Sequence, residues 1–445
     1  MDGAVPGTLL AFDDTDSPDG MCTTYLAALL VEEFSDLDLI GLPRLVRLNP
    51  NIPWKTRGNA AICISLGHGR GKRRVCGNIN GRAVSYYPEG SGAEPAELLA
   101  RAARVVGRVS ELSCPKTNPG VVVSGRRPPQ SLYWGAVRTV LKIGPVEGQL
   151  RDAGALIKKF KNGRGIIGAG AAMAWRPHDR TWEVIAYRHP EAWGTPRAID
   201  PSSVVRMDRR TKFTFNNYDY GNSHVAIAPG SPCPILFGIR GDEPNELLKA
   251  RTMIRGEKAD KWLMFLTNQA TEDHVVRSKV AALRPRMSAK INVRVSRPPL
   301  TIVGGHVIVR VTDGDGIDAA FYEPSREFRD AARKLIPGDE LLLYGSVRPA
   351  PRSFNVEKMR VISLAEDVRK TQNPLCASCG KRMGSMGSHQ GFRCKICKRK
   401  EPESSATYES FPRQITPGWY EPPVSSRRHL HKPLRRMSRV NIDNL

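Results

Sequence analysis

The spacing of apolar positions changes several times along the chain, and each change marks an element. Thr8-Leu9-Leu10-Ala11-Phe12 is a short apolar run that reads as a buried strand, and residues 25–34 read as a helix. Residues 44–50 and 59–66 read as strands, residues 95–106 as a helix and residues 120–124 as another buried strand. Between residues 67 and 90 the pattern lapses into a Gly- and Arg-rich stretch, Gly69-Arg70-Gly71-Lys72-Arg73-Arg74, expected to be a mobile loop whose charge touches RNA. Arg126-Arg127-Pro128-Pro129 reads as a boundary.

Beyond that boundary, residues 131–140 and 147–160 show helical spacing and residues 182–187 read as a strand, a mix that suits a small α+β layer. Gly163-Arg164-Gly165 then opens an apolar run, serving either packing or binding. Residues 210–285 return to α/β character. Five short strands follow, at 291–295, 307–311, 319–321, 340–345 and 361–363, with one helical stretch at 327–335. This is the pattern of an OB-type barrel, a nucleic-acid platform, though other small barrels share it.

Composition narrows the class. A chain of 445 residues with 40% hydrophobic content is too long for one core and is expected to hold three or four domains. Lys plus Arg exceed Asp plus Glu by 68 to 44, a formal charge of +24, so the partner is a polyanion, with nucleic acid the economical choice. There is no apolar run of the roughly 18 residues that span a membrane, no long basic amphipathic helix and no signal peptide pattern. Nine cysteines, four of them after residue 375, argue against a disulfide framework and for a reducing cytoplasm.

Candidate chemistry concentrates in Phe12-Asp13-Asp14-Thr15-Asp16-Ser17-Pro18-Asp19-Gly20-Met21-Cys22-Thr23-Thr24-Tyr25. If the strand runs on to Asp16, alternation puts Asp14 and Asp16 on one side and Asp13 on the other. Three carboxylates so close repel unless a cation sits among them, and hard oxygen ligands suit Mg²⁺ carrying nucleotide phosphates. After the turn at Gly20, the helix start near Thr23 and Thr24 offers free N–H groups to phosphate. The competing reading is an Asx-type turn with Asp16 or Ser17 capping the helix. A loop carrying Lys55, Arg57, Gly58 and Asn59 supplies point charge, guanidinium fork and backbone N–H for phosphate, or is an ordinary basic loop.

Cys376-x-x-Cys379 and Cys394-x-x-Cys397 form two knuckles fourteen residues apart. Their spacing supplies four thiolates to a structural, tetrahedral Zn²⁺, against the alternative of a redox dithiol. His389 between them reads as a surface residue. Basic and aromatic residues surround the knuckles and continue into Arg427, Arg428, Lys432, Arg435, Arg436 and Arg439, either an RNA-binding end or a solvated basic tail.

The acidic turn, together with Lys55-Thr56-Arg57-Gly58-Asn59-Ala60, Lys116-Thr117-Asn118-Pro119-Gly120, Gly163 to Ala169 and the cysteine quartet, resembles the archaeal tRNA(Ile) 2-agmatinylcytidine synthetases over nearly the whole chain. The departure lies mainly at residues 66–90. The resemblance implies an α/β and α+β multidomain protein. Its parts would be a kinase-like catalytic domain at 1–125 with 210–285, a ferredoxin-like domain at 126–209, an OB-fold barrel at 286–366, and a zinc ribbon with a basic tRNA-binding tail at 367–445.

The implied activity is ATP-dependent: phosphorylation of the carbonyl oxygen at ring position two of the wobble cytidine in the isoleucine tRNA with a CAU anticodon, then displacement of phosphate by agmatine. The product would switch decoding from AUG to AUA. Asp13, Asp14, Asp16 and Thr23 become catalytic, with Thr23 matching a threonine that family members autophosphorylate and Asp13 and Asp14 holding Mg²⁺. Gly20, Thr24, Lys55, Arg57, Gly58 and Asn59 become the ATP site. Asn217 and Asp219, in an amide-rich loop, are candidates for the agmatine guanidinium, or merely build turns. Rival readings are a non-catalytic RNA-binding factor and a carboxylate-metal nuclease.

Overall fold

The structure is a computed structural model that describes residues 4–440. The ends of the first and last predicted units, residues 1–3 and 441–445, lie outside the described residues.

The strand Ala4–Asp13 runs between antiparallel neighbours Ala60–Arg70 and Gly120–Arg126. Its side chains alternate between two cores. Leu10 and Phe12 join the helices Thr23–Glu33 and Pro95–Val109, while Leu9 and Ala11 join Gln130–Arg138, Ile143–Asp152 and Ile166–Ala174. Burial on both faces explains why this strand reads as an unbroken apolar run. Residues 147–160, expected as one helix, divide: the helix ends at Asp152, Gly154 takes a positive φ of 74°, and Leu156–Lys159 pairs with Gly120–Arg126.

A second set of strands continues the same sheet. Thr181–Tyr187 lies between Ile235–Gly241 and Lys261–Thr267, with helices Pro201–Arg210 and Pro244–Met253 packed nearby. Residues 182–187, read from sequence as part of a unit ending at residue 209, are therefore hydrogen-bonded to strands of the 210–285 region. The segment after Leu66 is not the expected mobile loop. Arg74–Ile79 and Arg82–Tyr87 form a hairpin across Asn80 and Gly81, both at positive φ. Arg74–Ile79 also pairs with Lys261–Thr267, so the basic segment joins the two halves of the sheet. Cys76 and Ile79 bury inward while the arginines stay outside. Asn-Gly is the strongest short hairpin signal, and it stood in the sequence beneath the basic composition.

The strands Ser288–Val295, Val307–Thr312, Gly316–Phe321, Glu340–Arg348 and Ser353–Ser363 close on themselves, since the first pairs with both the second and the fourth. The third and fifth are parallel, and the helix Glu327–Arg333 stands between the third and fourth, packing Phe328 and Ala332 into the core. This closed, OB-like barrel has alternating burial along its strands, as in Val307–Thr312.

Two extended strands, Asp367–Gln372 and Thr407–Phe411, carry a small terminal module built on Cys376, Met383, Phe392 and Cys394. The chain then returns. Gly418–Tyr420 pairs with the barrel, and residues 421–440 run back over the central sheet. The N–H groups of Ala270 and Glu272 donate to the carbonyls of His429 and Leu430, each at 2.9 Å, and Leu430 is buried in the Leu9 core. Arg436, 3% exposed, donates to Asp242 at 2.7 Å and is ion-paired with Asp179. No helix among the described residues is long and apolar enough to cross a membrane.

Candidate functional site

A cavity of about 590 Å³ opens where the first strand ends. Strand geometry stops at Asp13, because Asp14 turns into the left-handed region with φ 61°. The strand alternation consequently ends at Asp13, and the three carboxylates take different partners around one cavity. Asp13 is enclosed, its Oδ1 accepting from the Asp14 N–H at 2.7 Å. Asp14 pairs with Arg164 at 3.0 Å. Asp16 accepts from Arg57 at 2.7 Å and from the Thr56 hydroxyl at 2.5 Å. All three line the cavity.

Burial raises the Asp13 carboxyl well above its usual range, and the adjacent Asp14 charge adds to it. Burial likewise lifts Asp14 to about 6, against the opposing pull of Arg164. The pressure toward neutrality is what a bound cation would relieve. Gly165 and Gly168 make this packing possible: a Cβ on Gly168 would occupy the Asp13 carboxylate, and one on Gly165 the Asp13 carbonyl. The glycines of this segment thus serve close packing of the helix Ile166–Ala174 against the first strand.

The helix Thr23–Glu33 begins at Cys22 without a side-chain cap, and Thr23 and Thr24 line the cavity. Its first N–H groups are therefore open to an anion. Thr15 holds the Thr23 hydroxyl at 3.1 Å, and the Thr24 carbonyl accepts from Tyr187 at 2.7 Å. Lys55, Arg57, Gly58 and Asn59 form the opposite wall. Arg57 is committed to Asp16 and to the Met21 carbonyl, so it braces the acidic turn as well as facing the cavity. Burial lowers the Lys55 pKa, and its ammonium donates to the Pro50 carbonyl. Gly20 lies in the turn and accepts from Arg57 at 3.3 Å without lining the cavity.

Asn217 and Asp219 do not line it either. Asn217 donates to Asp208 at 2.9 Å and Thr214 at 2.8 Å. Asp219 accepts from the Ser425 hydroxyl at 2.6 Å and from Asn222 at 2.8 Å. Both fasten loops, and Asp219 fastens the returning C-terminal segment.

Sequence reasoning missed a polar group in the cavity wall. Glu183, 2% exposed, is ion-paired with Arg240 at 2.9 Å and Arg47 at 3.8 Å, and accepts from the Gln269 amide. Gln269 Oε1 in turn lies 3.0 Å from His429 Nδ1. The returning segment adds Val424, Ser425, Arg427, Arg428 and His429 to the wall. It is not a free basic tail. Arg427 pairs with Glu421, Arg428 with Glu357, Lys432 with Asp179 and Arg435 with Asp208. The cysteine module, by contrast, carries a cluster of exposed cations at Lys381, Arg382, Arg393, Lys395, Lys398, Arg399 and Lys400.

The sulfurs of Cys376, Cys379, Cys394 and Cys397 lie within 4.8 Å of one another, the one such group of metal-ligating side chains among the described residues. Four converging thiols fit a tetrahedral Zn²⁺ site. His389 is exposed and pairs with Glu403, as a surface residue does.

The TiaS TCKD domain matches residues 9–162, the TiaS FLD domain residues 163–274, and the TiaS C-terminal zinc ribbon domain residues 373–415. The isoleucine-tRNA 2-agmatinylcytidine synthetase TiaS of Methanosarcina mazei is 40% identical over 98% of both chains, and that of Methanocaldococcus jannaschii is 36% identical over 96% of this chain and 98% of the relative. The crystal structure of TiaS in complex with its isoleucine tRNA and ATP is 36% identical and superposes with a TM-score of 0.82, covering 97% of each chain. The complex of TiaS with that tRNA, AMPCPP and agmatine gives 0.81 at 34% identity and the same coverage. With matches at this identity over nearly its full length, the chain belongs to the TiaS family of isoleucine-tRNA 2-agmatinylcytidine synthetases.

Proposed function

We infer that this protein uses ATP to join agmatine to the wobble cytidine of the isoleucine tRNA, forming 2-agmatinylcytidine and changing decoding from AUG to AUA. The observation that carries the reading is the convergence, in one cavity, of Asp13, Asp14 and Asp16, the uncapped helix start at Thr23 and Thr24, and the Lys55 to Asn59 loop. A carbonyl oxygen is a poor leaving group until phosphorylated, so phosphoryl transfer to the cytosine oxygen comes first and amine displacement second.

The helix N–H groups and the Lys55–Asn59 loop hold the polyphosphate. Asp13 and Asp14, crowded and buried, would hold Mg²⁺, which when bound neutralises charge developing on the transferred phosphoryl group. Asp16, fixed by Arg57 and Thr56, keeps the acidic turn in place. Thr23 presents its hydroxyl in the same cavity, positioned to accept phosphate. The guanidinium of agmatine needs an acceptor that Asn217 and Asp219, turned away, do not directly supply. Asn216, which lines the cavity and accepts from Arg427 at 2.9 Å, belongs to the same loop.

The unit at 1–125, without residues 210–285, reads as kinase-like and the closed barrel as an OB fold. The ferredoxin-like unit is better drawn around the strands Thr181–Tyr187, Ile235–Gly241 and Lys261–Thr267, which share one ladder. The barrel and the zinc module would hold the body of the tRNA while the target base leaves its stack. Nine cysteines, none paired in a disulfide, suit a reducing cytoplasm. Mass spectrometry of nucleosides after incubating the protein with an isoleucine tRNA transcript carrying the CAU anticodon, ATP and agmatine tests the reading. Agmatidine at the wobble position is expected, and its absence with all three present would refute it.

A further inference from the structure

The segment that closes over the cavity, residues 421–440, lies outside all three matched domains, yet it delivers His429 to the cavity wall. Its placement is firmly specified. The His429 carbonyl accepts from Ala270, Leu430 is buried next to it, and Arg436 and Lys432 are paired with Asp179. The imidazole itself faces the open space.

Its protonation pattern follows from its neighbours. Glu183, ion-paired with Arg240 and Arg47, is an acceptor only, so the Gln269 amide must turn its nitrogen to Glu183 and its oxygen to His429. His429 Nδ1 therefore carries the hydrogen and Nε2 presents a lone pair. Among the described residues Nε2 has no hydrogen-bond partner, and it lies beside the Lys55–Asn59 loop, where a Cβ on Gly58 would meet it at 3.0 Å. The charges around it are Arg47 on the strand Arg44–Arg47, Arg240 on Ile235–Gly241, Lys55 on the loop, Arg428 next in the chain, and Glu183 beyond Gln269. Arg47, Arg240 and Lys55 oppose a further cation at this spot, which favours the neutral imidazole and the neutral, nucleophilic form of an amine beside Nε2.

On the functional reading above, we propose that His429 is the proton acceptor of the second half-reaction. The amine nitrogen bonds to C2 of the phosphorylated cytosine and gives one proton to Nε2. The C2–O bond breaks, and phosphate leaves with the bonding pair. A nitrogen forming a bond to carbon becomes strongly acidic, so a weak, neutral imidazole suffices.

The experiment compares the full chain with His429→Gln and His429→Ala, following labelled phosphate leaving ATP and agmatidine formed in the isoleucine tRNA. In His429→Gln, agmatidine formation should fall about 100-fold or more, with far less effect on phosphoryl transfer. Its remaining rate should rise with pH as solvent takes over the proton. Added imidazole should restore agmatidine formation in His429→Ala. Undiminished agmatidine, equal loss of both half-reactions, or no recovery with imidazole would each overturn the assignment. Unsubstituted protein that transfers no agmatine would remove the functional reading itself, and this role with it.

Discussion

Asp14 occupies left-handed backbone and a buried, crowded position, so its charge works against folding. Its folded pKa of about 6 exceeds the usual 3.8. The folded state thus binds the proton more tightly than the unfolded chain, and stability present below pH 4 is lost as pH rises through 6. Asp14→Asn, which tolerates the same backbone and still accepts from Arg164, should stabilise the protein at pH 7.5 by roughly 1–3 kcal/mol while abolishing labelled-phosphate transfer. Melting curves at pH 7.5 and pH 4 check this, the gain disappearing at the lower pH. Gly168→Ala makes the complementary case: its methyl displaces the Asp13 carboxylate, so activity should drop sharply and stability by about 1–3 kcal/mol. The acidic turn and the cysteine quartet were legible because each is contiguous or regularly spaced. The chain Glu183–Gln269–His429 was not, because its links join residues 86 and 160 apart, and no local period connects them. Asn217 and Asp219 were named from composition alone, and the bonds they make to Asp208, Thr214, Asn222 and Ser425 could not be read from it.

The helix Thr23–Glu33 is an element whose function depends on an omission. Its N-cap position is Cys22, which makes no side-chain bond to the helix N–H groups. Cys22→Asp would supply the cap, adding about 1 kcal/mol of stability, while placing a carboxylate at the helix start proposed to hold the polyphosphate. Calorimetry should find tighter folding and nucleotide affinity weakened about tenfold or more. The strands and helices around this element were largely visible as apolar runs, because burial on both sheet faces leaves little else in the sequence. The hairpin at 74–87 was obscured because its outward face is arginine-rich, and charge on one face of a strand resembles disorder when the alternation goes uncounted.

At the scale of the whole molecule, the cations at 381–400 and those at 427–436 have different surroundings. The cations of the zinc module are exposed, and those of residues 427–436 are paired with carboxylates of the body. Removing zinc with a chelator should unfold only the small module, leaving the main thermal transition in place because the sheet and barrel have their own cores. Affinity for tRNA should fall, and its dependence on salt should become shallower, by titrations at two ionic strengths.

The return of residues 421–440 to the central sheet also has a temporal side. A chain made from its N-terminus completes the carboxylate turn early, and its sheet and barrel can collapse as they emerge. The wall carrying His429 arrives only after the barrel and the cysteine module have been made. Until then the carboxylate side of the cavity lacks the wall opposite, so competence to modify RNA waits on the synthesis of residues 421–440.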